Sequence, residues 1–412
     1  MSKRAFFFLL IYVITLVAGC DSLTNVDNSN TYESIIWSNN ELGFSLIEEI
    51  KPNDQNNVFI SPTSALIAIL MAYNGAKGDT KDEIAEALGL NEISVDELNR
   101  DVASLLDSLE RDSKGIELAI ANSIWVNQEF TLKEEFVNKT KDFYKAEISQ
   151  IDVLDDDSVD KINNWVSEST KDKIEQIVEA PLDPDLVALL INVLYFKGKW
   201  KHKFDVDRTE TAAFYTDEKE IEVPMMVLDE KLAYMENSLF QAVKLPYGKD
   251  EMSMTIFLPR ENSSIDAFIK NLTVDNWRKW SAEFQVKSGI IELPKFQIEY
   301  EVTLNESLIL LGMEKAFDGK EADFRHMFKE KEQLWIDEVK QKTYIDVDEE
   351  GTEAAAVTAI SVVRESSIVE DTFYMEVNRP FFITITDDHT DAILFMGFIT
   401  NPEKREDHLE AS

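Results

Sequence analysis

Histidine and cysteine most often carry acid–base, nucleophilic and metal chemistry near neutral pH, and this chain has very few of either. The four histidines, His202, His326, His389 and His408, stand alone. None sits in a spacing such as H-E-x-x-H, which would place two ligands on one helix face. Cys20 is the single cysteine, so an intrachain disulfide and thiolate zinc sites are excluded. A hydrolytic triad would have to recruit an isolated histidine as its base. The acidic run Asp155-Asp156-Asp157 lacks the glycine-containing loop of a calcium site and reads as a solvated face. The formal net charge of −38 argues against nucleic acid, whose phosphates need clustered Lys and Arg. No metal and no cofactor is expected.

The segment with the most distinctive composition is Glu349 to Ser366, EEGTEAAAVTAISVVRES. Side chains on a strand alternate faces. Thr352, Ala354, Ala356, Thr358 and Ile360 would then share one face, all small or apolar, with Glu353 on the other. No proline occurs between Gly351 and Val377, so a complete ladder of backbone bonds is open to the segment. Alanine also has the best helix propensity, and an Ala-rich helix or linker fits the same pattern. Composition alone leaves both readings open.

The elements around this segment are mixed. Ser61-Pro62 followed by TSALIAILMAYNGAKG starts a helix, with Ser61 placed to accept first-turn amides and proline tolerated at the first helical position. Its interior is apolar all round, so it is expected to be buried; Gly75 suits its end. A second short helix opens at Asp79-Thr80 and closes at Gly89. Val95 to Lys114 reads as a helix whose few cations, Arg100, Arg111 and Lys114, lie among acids, so no heparin-type polyanion is expected to bind. Ile116–Val126 and Leu186–Phe196 read as central strands. Leu334–Val347, Phe381–Thr386 and Ala392–Ile399 read as further strands. The fold class is α+β, a large mixed sheet with additional sheets, with no linker or repeat dividing residues 32–403 into smaller domains.

The first nineteen residues read as a signal peptide. Lys3 and Arg4 precede an apolar run, Ala5 to Ala18, which is shorter than the ~20 residues that span a bilayer. Leu16-Val17-Ala18-Gly19-Cys20 resembles the lipobox of bacterial lipoprotein precursors. That resemblance implies cleavage before Cys20 and its acylation, anchoring the chain to the bacterial cell envelope on the periplasmic or extracellular side. Residues 20–31 are expected to form a polar tether, and 404–412 a C-terminal tail.

E-E-G-T-E-A-A-A-x-T resembles the hinge of serpins, and other stretches are similar to that family in the same order. They are Asn57-Val58-Phe59-Ile60-Ser61-Pro62 with Ser64, Ala121-Asn122-Ser123-Ile124-Trp125, Ile191 to Trp200, Val223-Pro224-Met225-Met226, Leu293-Pro294-Lys295-Phe296, Asn378-Arg379-Pro380-Phe381 and Leu394-Phe395-Met396-Gly397. The likeness covers roughly residues 35 to 402. It implies a serpin fold with eight to nine helices and an exposed reactive loop, and a monomeric inhibitor that a serine or cysteine protease attacks rather than an enzyme. The hinge would be Glu349, Glu350, Gly351, Thr352, Glu353, Ala354, Ala355, Ala356, Val357 and Thr358, with Thr352 entering the sheet first. Lys295, Glu349 and Trp200 would lie where insertion begins, the breach. Ser61, Ser64, Asn192 and Gln341 would form the polar cluster that controls opening, the shutter. Gln341 stands where the family commonly has histidine. Counting from Gly351 puts the reactive bond at Glu365–Ser366, or one residue earlier at Arg364–Glu365. Arg364 would suit a trypsin-like protease, Glu365 a glutamate-specific one. The competing readings are a non-inhibitory serpin acting as a carrier or structural protein and, from another class, a solute-binding surface lipoprotein.

Overall fold

The computed structural model describes residues 28–50, 57–111, 113–216, 218–330, 333–352 and 372–402. Cys20 and the signal segment lie outside these residues. So do Glu353, Ala354, Ala355, Ala356, Val357 and Thr358 of the hinge, Arg364, Glu365 and Ser366 of the reactive bond, and the tail.

Among the described residues there are nine α-helices: α1 (Asn28–Ile50), α2 (Pro62–Gly75), α3 (Gly78–Ala87), α4 (Val95–Leu109), α5 (Glu134–Tyr144), α6 (Asp157–Ser169), α7 (Ile265–Ile269), α8 (Val274–Glu283) and α9 (Asn305–Leu310). The strands are β1 (Val58–Ile60), β2 (Ile116–Asn127), β3 (Glu147–Ile151), β4 (Ala188–Lys199), β5 (Glu210–Tyr215), β6 (Glu220–Glu236), β7 (Phe240–Tyr247), β8 (Met252–Pro259), β9 (Gln285–Pro294), β10 (Phe296–Thr303), β11 (Glu338–Val347), β12 (Gly351–Thr352), β13 (Phe373–Glu376), β14 (Phe381–Asp387) and β15 (Ile393–Ile399).

Six strands form one mixed sheet in the order β10-β11-β12-β4-β2-β3, and nine form a second around β14, β15, β8, β7, β6 and β9. Two apolar layers sandwich the six-stranded sheet. Alternation along β4 sends Leu190 and Leu194 into the main core with α2, and Leu189, Ile191 and Val193 into a second core. The second core is closed by Ile162 and Val166 of α6 and by Ile174 and Ile177 of the chain that follows it. All fourteen residues of α2 are buried, and the Ser61 hydroxyl caps it by accepting from the Ser64 amide at 3.2 Å.

Several sequence boundaries move. Helix α1 begins at Asn28, inside the segment read as a tether up to Thr31; Asn and Ser there are residue types that favour a helix start. The strand read from Leu334 begins at Glu338, because Asp337 turns its carboxylate to the amides of Val187 and Ala188 at 2.7 and 2.9 Å. The helix read to Lys114 ends at Leu109. The strand read as Leu186–Phe196 runs from Ala188 to Lys199.

Candidate functional site

In the lower part of the six-stranded sheet, β4 and β11 pair directly and in parallel, from Leu189 opposite Glu338 to Leu194 opposite Thr343. Above that row they part. Two residues of the chain leaving β11 fill the opening as β12: Gly351 opposes Lys199, and Thr352 sits between Gly198 of β4 and Val347 of β11, antiparallel to both. Gly351 and Thr352 of the hinge are therefore already a two-residue strand, and Thr352 is fully buried.

Sequence at the turn explains how the chain folds back. The Asp348 carboxylate accepts the amides of Glu350 at 2.8 Å and Gly351 at 3.1 Å, and the Asp348 amide donates to the Gly351 carbonyl at 2.9 Å. A Cβ on Gly351 would lie 2.1 Å from the Gly198 carbonyl oxygen, so only glycine lets the backbones approach this closely. Gly198 serves the same end: a Cβ there would strike the Tyr247 ring at 2.6 Å.

The segment after β4 ties down the turn. The Trp200 indole N–H donates to the Asp348 carbonyl at 2.9 Å, the Trp200 amide to the Glu350 carbonyl at 3.0 Å, and the Phe204 amide to the Glu349 carbonyl at 3.0 Å. Trp200 stacks on Tyr247 with centroids 4.4 Å apart and planes 12° from parallel. The Tyr247 and Thr352 hydroxyls share a hydrogen bond of 2.6 Å. Burial pushes the Tyr247 phenol well above its ordinary range, so it stays neutral.

Lys295 pairs with Glu349 at 2.5 Å, and the Thr209 hydroxyl donates to the same carboxylate at 2.6 Å. Burial raises the Glu349 pKa, but the Lys295 ammonium and the Thr209 hydroxyl outweigh it and hold the group below its ordinary value. Asp348 moves the other way: burial raises it, and the two amides it accepts offset only part of that. Lys203 bonds to Glu350. Lys295, Glu349 and Trp200 thus come together as the sequence reading grouped them. Tyr247, Thr209, Lys203 and Asp348 complete the cluster, and no local pattern in the sequence marks them.

The second polar group lies six residues down the sheet. Gln341 of β11 and Asn192 of β4 face each other in the ladder. The Gln341 side chain clips the Ser61 backbone, accepting its amide at 2.8 Å and donating to its carbonyl at 2.9 Å. The Asn192 side-chain amide donates to the side-chain amide oxygen of Asn122 on β2. Ser61, Ser64, Asn192 and Gln341 are all at least 98 % buried. Asn122 belongs to this cluster and was missed. The Ser64 hydroxyl oxygen and the Asn192 side-chain oxygen Oδ1 have no hydrogen-bond partner among the described residues.

The serpin (serine protease inhibitor) family model matches residues 37–402. An uncharacterized serpin-like protein of Methanosarcina acetivorans is 33% identical, with 96% of each chain covered. The thermophilic serpin tengpin, solved in its native state, is 32% identical and superposes with a TM-score of 0.83, covering 89% of this chain and 94% of its own. Human thyroxine-binding globulin, solved with its hormone, is 26% identical with a TM-score of 0.83, covering 91% of this chain and 100% of its own.

Proposed function

Since the chain belongs to the serpin family, whose members generally inhibit proteases, we propose that it is itself a protease inhibitor that acts by trapping its target after loop cleavage. The attacking serine oxygen adds to the carbonyl carbon of Arg364, or of Glu365 if the bond lies one residue later. The peptide C–N bond breaks, the new amino terminus leaves with the leaving-group proton, and the protease is held as an ester. Serpin loop insertion is itself a standard instance of strand addition and of released strain. The cut segment joins the six-stranded sheet between β4 and β11, and the ester is carried away before water can hydrolyse it.

One observation carries this reading: Gly351 and Thr352 of the hinge are already paired into the sheet, antiparallel to both neighbours, and the small residues Ala354, Ala355, Ala356 and Thr358 follow in the sequence. Human thyroxine-binding globulin shares the fold, so fold alone does not choose between inhibitor and carrier. The hinge composition favours the inhibitor, since small residues pass between strands and bulky, charged or proline residues do not. A solute-binding lipoprotein leaves this hinge without a purpose.

The finer features belong to the same proposal. The target is a serine protease of trypsin-like or glutamate-preferring specificity. A lipid on Cys20 anchors a monomer to the bacterial envelope. No heparin-type polyanion accelerates the reaction: Arg111, the cation nearest the end of α4, is committed to the buried Asp387.

Incubation with trypsin and with a glutamate-specific protease tests the reading. An SDS-stable complex is expected, with a released C-terminal peptide whose mass begins at Glu365 or at Ser366. Turnover of the loop with no stable complex for any serine protease tried would return the carrier reading. Radiolabelled palmitate should enter the wild-type chain and not Cys20→Ser.

A further inference from the structure

Strand β13 is where the chain re-enters the fold after the reactive loop. It pairs in parallel with β9, and β9 pairs with β6, so residues of the three strands fall into rows. Phe373, Met375, Ile291 and Leu228 turn inward and are buried. Alternation turns their neighbours outward. One outward row is Tyr374, Ile290 and Asp229; the next is Glu376, Glu292 and Val227. Tyr374 is 54% exposed, and its hydroxyl donates to Glu292 at 2.8 Å. Farther along β9, Val286 is 73% exposed. Partial burial and the carboxylates of Glu292 and Glu376 push the Tyr374 phenol up to about 12. The face therefore has an aromatic and aliphatic centre beside three carboxylates, with Lys231 in the adjoining row. An apolar centre with a charged rim is the anatomy of a protein–protein contact.

Chain length fixes what comes to this face. Nine residues separate Arg364 from Phe373, at most ~32 Å of extended chain. A protease domain of ~220 residues has a radius of gyration of roughly 17 Å. A protease seated on Arg364 therefore brings the leaving-group side of its cleft against β13 or the strands beside it. We propose that the outer face of β6, β9 and β13 is a second docking surface for the attacking protease. It takes trypsin-like enzymes with basic side chains beside the cleft in preference to acidic enzymes that cut the same bond. No bond is made or broken on this face; opposite charge raises the rate of productive encounter. The inference rests on the inhibitor reading with cleavage at Arg364.

Rate constants for complex formation with a cationic and an anionic trypsin test it. Wild type should react about tenfold faster with the cationic enzyme. Asp229→Asn, Glu292→Gln and Glu376→Gln combined should remove most of that preference. The same number of neutralisations at the exposed Asp155, Asp156 and Asp157 should keep it. Tyr374→Ser should slow both enzymes severalfold. The stoichiometry of inhibition, decided after the bond is cut, should stay at the wild-type value throughout. Equal losses from the two triple variants would show steering by the overall charge of −38 and overturn the surface while leaving inhibition standing. An unchanged rate for Tyr374→Ser would do the same. A wild type that sediments as a dimer, beside a monomeric face variant, would assign the face to a second copy of the chain instead. A wild type that traps neither trypsin would overturn the surface together with the trypsin-like target.

Discussion

Thr352 is held by size and by one hydroxyl. It sits between two strands with its side chain against Tyr247, and a larger or charged group cannot share that space. Thr352→Arg should force the hinge out of the sheet, since burying an unpaired guanidinium costs several kcal/mol. Complex formation in an SDS gel should then fall to background while the cut product accumulates; an undiminished complex would contradict entry through Thr352. Glu349 governs the acid response nearby. Its folded pKa lies below the unfolded value of ~4.3, so its stabilisation is complete above that value and is lost as pH falls through the folded pKa. Asp348 has the opposite sign: its folded pKa is raised, so protonation as pH falls relieves a penalty. Lys295→Met should remove the Glu349 contribution, costing about 1–2 kcal/mol at neutral pH and flattening the acid limb below about pH 4.3. Urea midpoints between pH 3 and 7 measure both; an acid limb as steep as the wild type's would rule out the Lys295–Glu349 pair as its source.

At the scale of elements, two side-chain fastenings hold the strands on either side of the β4–β11 seam. Gln341 fastens β11 to the backbone that caps α2, while Asn192 fastens β4 to β2. Opening the sheet for a new strand adds one strand spacing of about 4.8 Å between β4 and β11, and neither fastening crosses that gap. Gln341→Ala would leave the Ser61 amide and carbonyl without these bonds, which costs roughly 2–4 kcal/mol and should speed spontaneous loss of inhibitory activity on storage. The amide of Gln341 does not ionise, so no titration of this residue enters the wild-type rate. Gln341→His should introduce a dependence centred near the imidazole range of about 6.5. Half-lives of inhibitory activity at pH 5.5 and pH 8 decide it; identical pH profiles for wild type and the histidine variant would mean that position 341 does not gate the opening.

At the scale of the whole molecule, the proposed function turns on the seam between β4 and β11 in the six-stranded sheet. Its upper third holds a two-residue wedge, and its lower part is closed by direct pairing of β4 with β11. A cut loop that enters between β4 and β11, as the proposed function requires, would add backbone bonds to both neighbours. If the net gain reaches ~5 kcal/mol, the melting temperature rises by about 6 °C. Differential scanning calorimetry before and after the cut reads this directly, and coincident transitions would count against a metastable starting fold.

By itself the sequence determined the α+β class, the buried helix at Ser61 and the strands flanking the hinge. Those features are written in local periodicity, caps and a contiguous small-residue motif. It also placed Gln341 where the family favours histidine. Only the tertiary structure decided that Gly351 and Thr352 already lie in the sheet, that Tyr247 meets Thr352 across 105 positions of chain, and that Asn192 faces Gln341 in the β4–β11 ladder. The reason is physical. Strand register and contacts between distant segments follow from how β4 and β11 are laid beside each other, and no spacing along the chain encodes that placement.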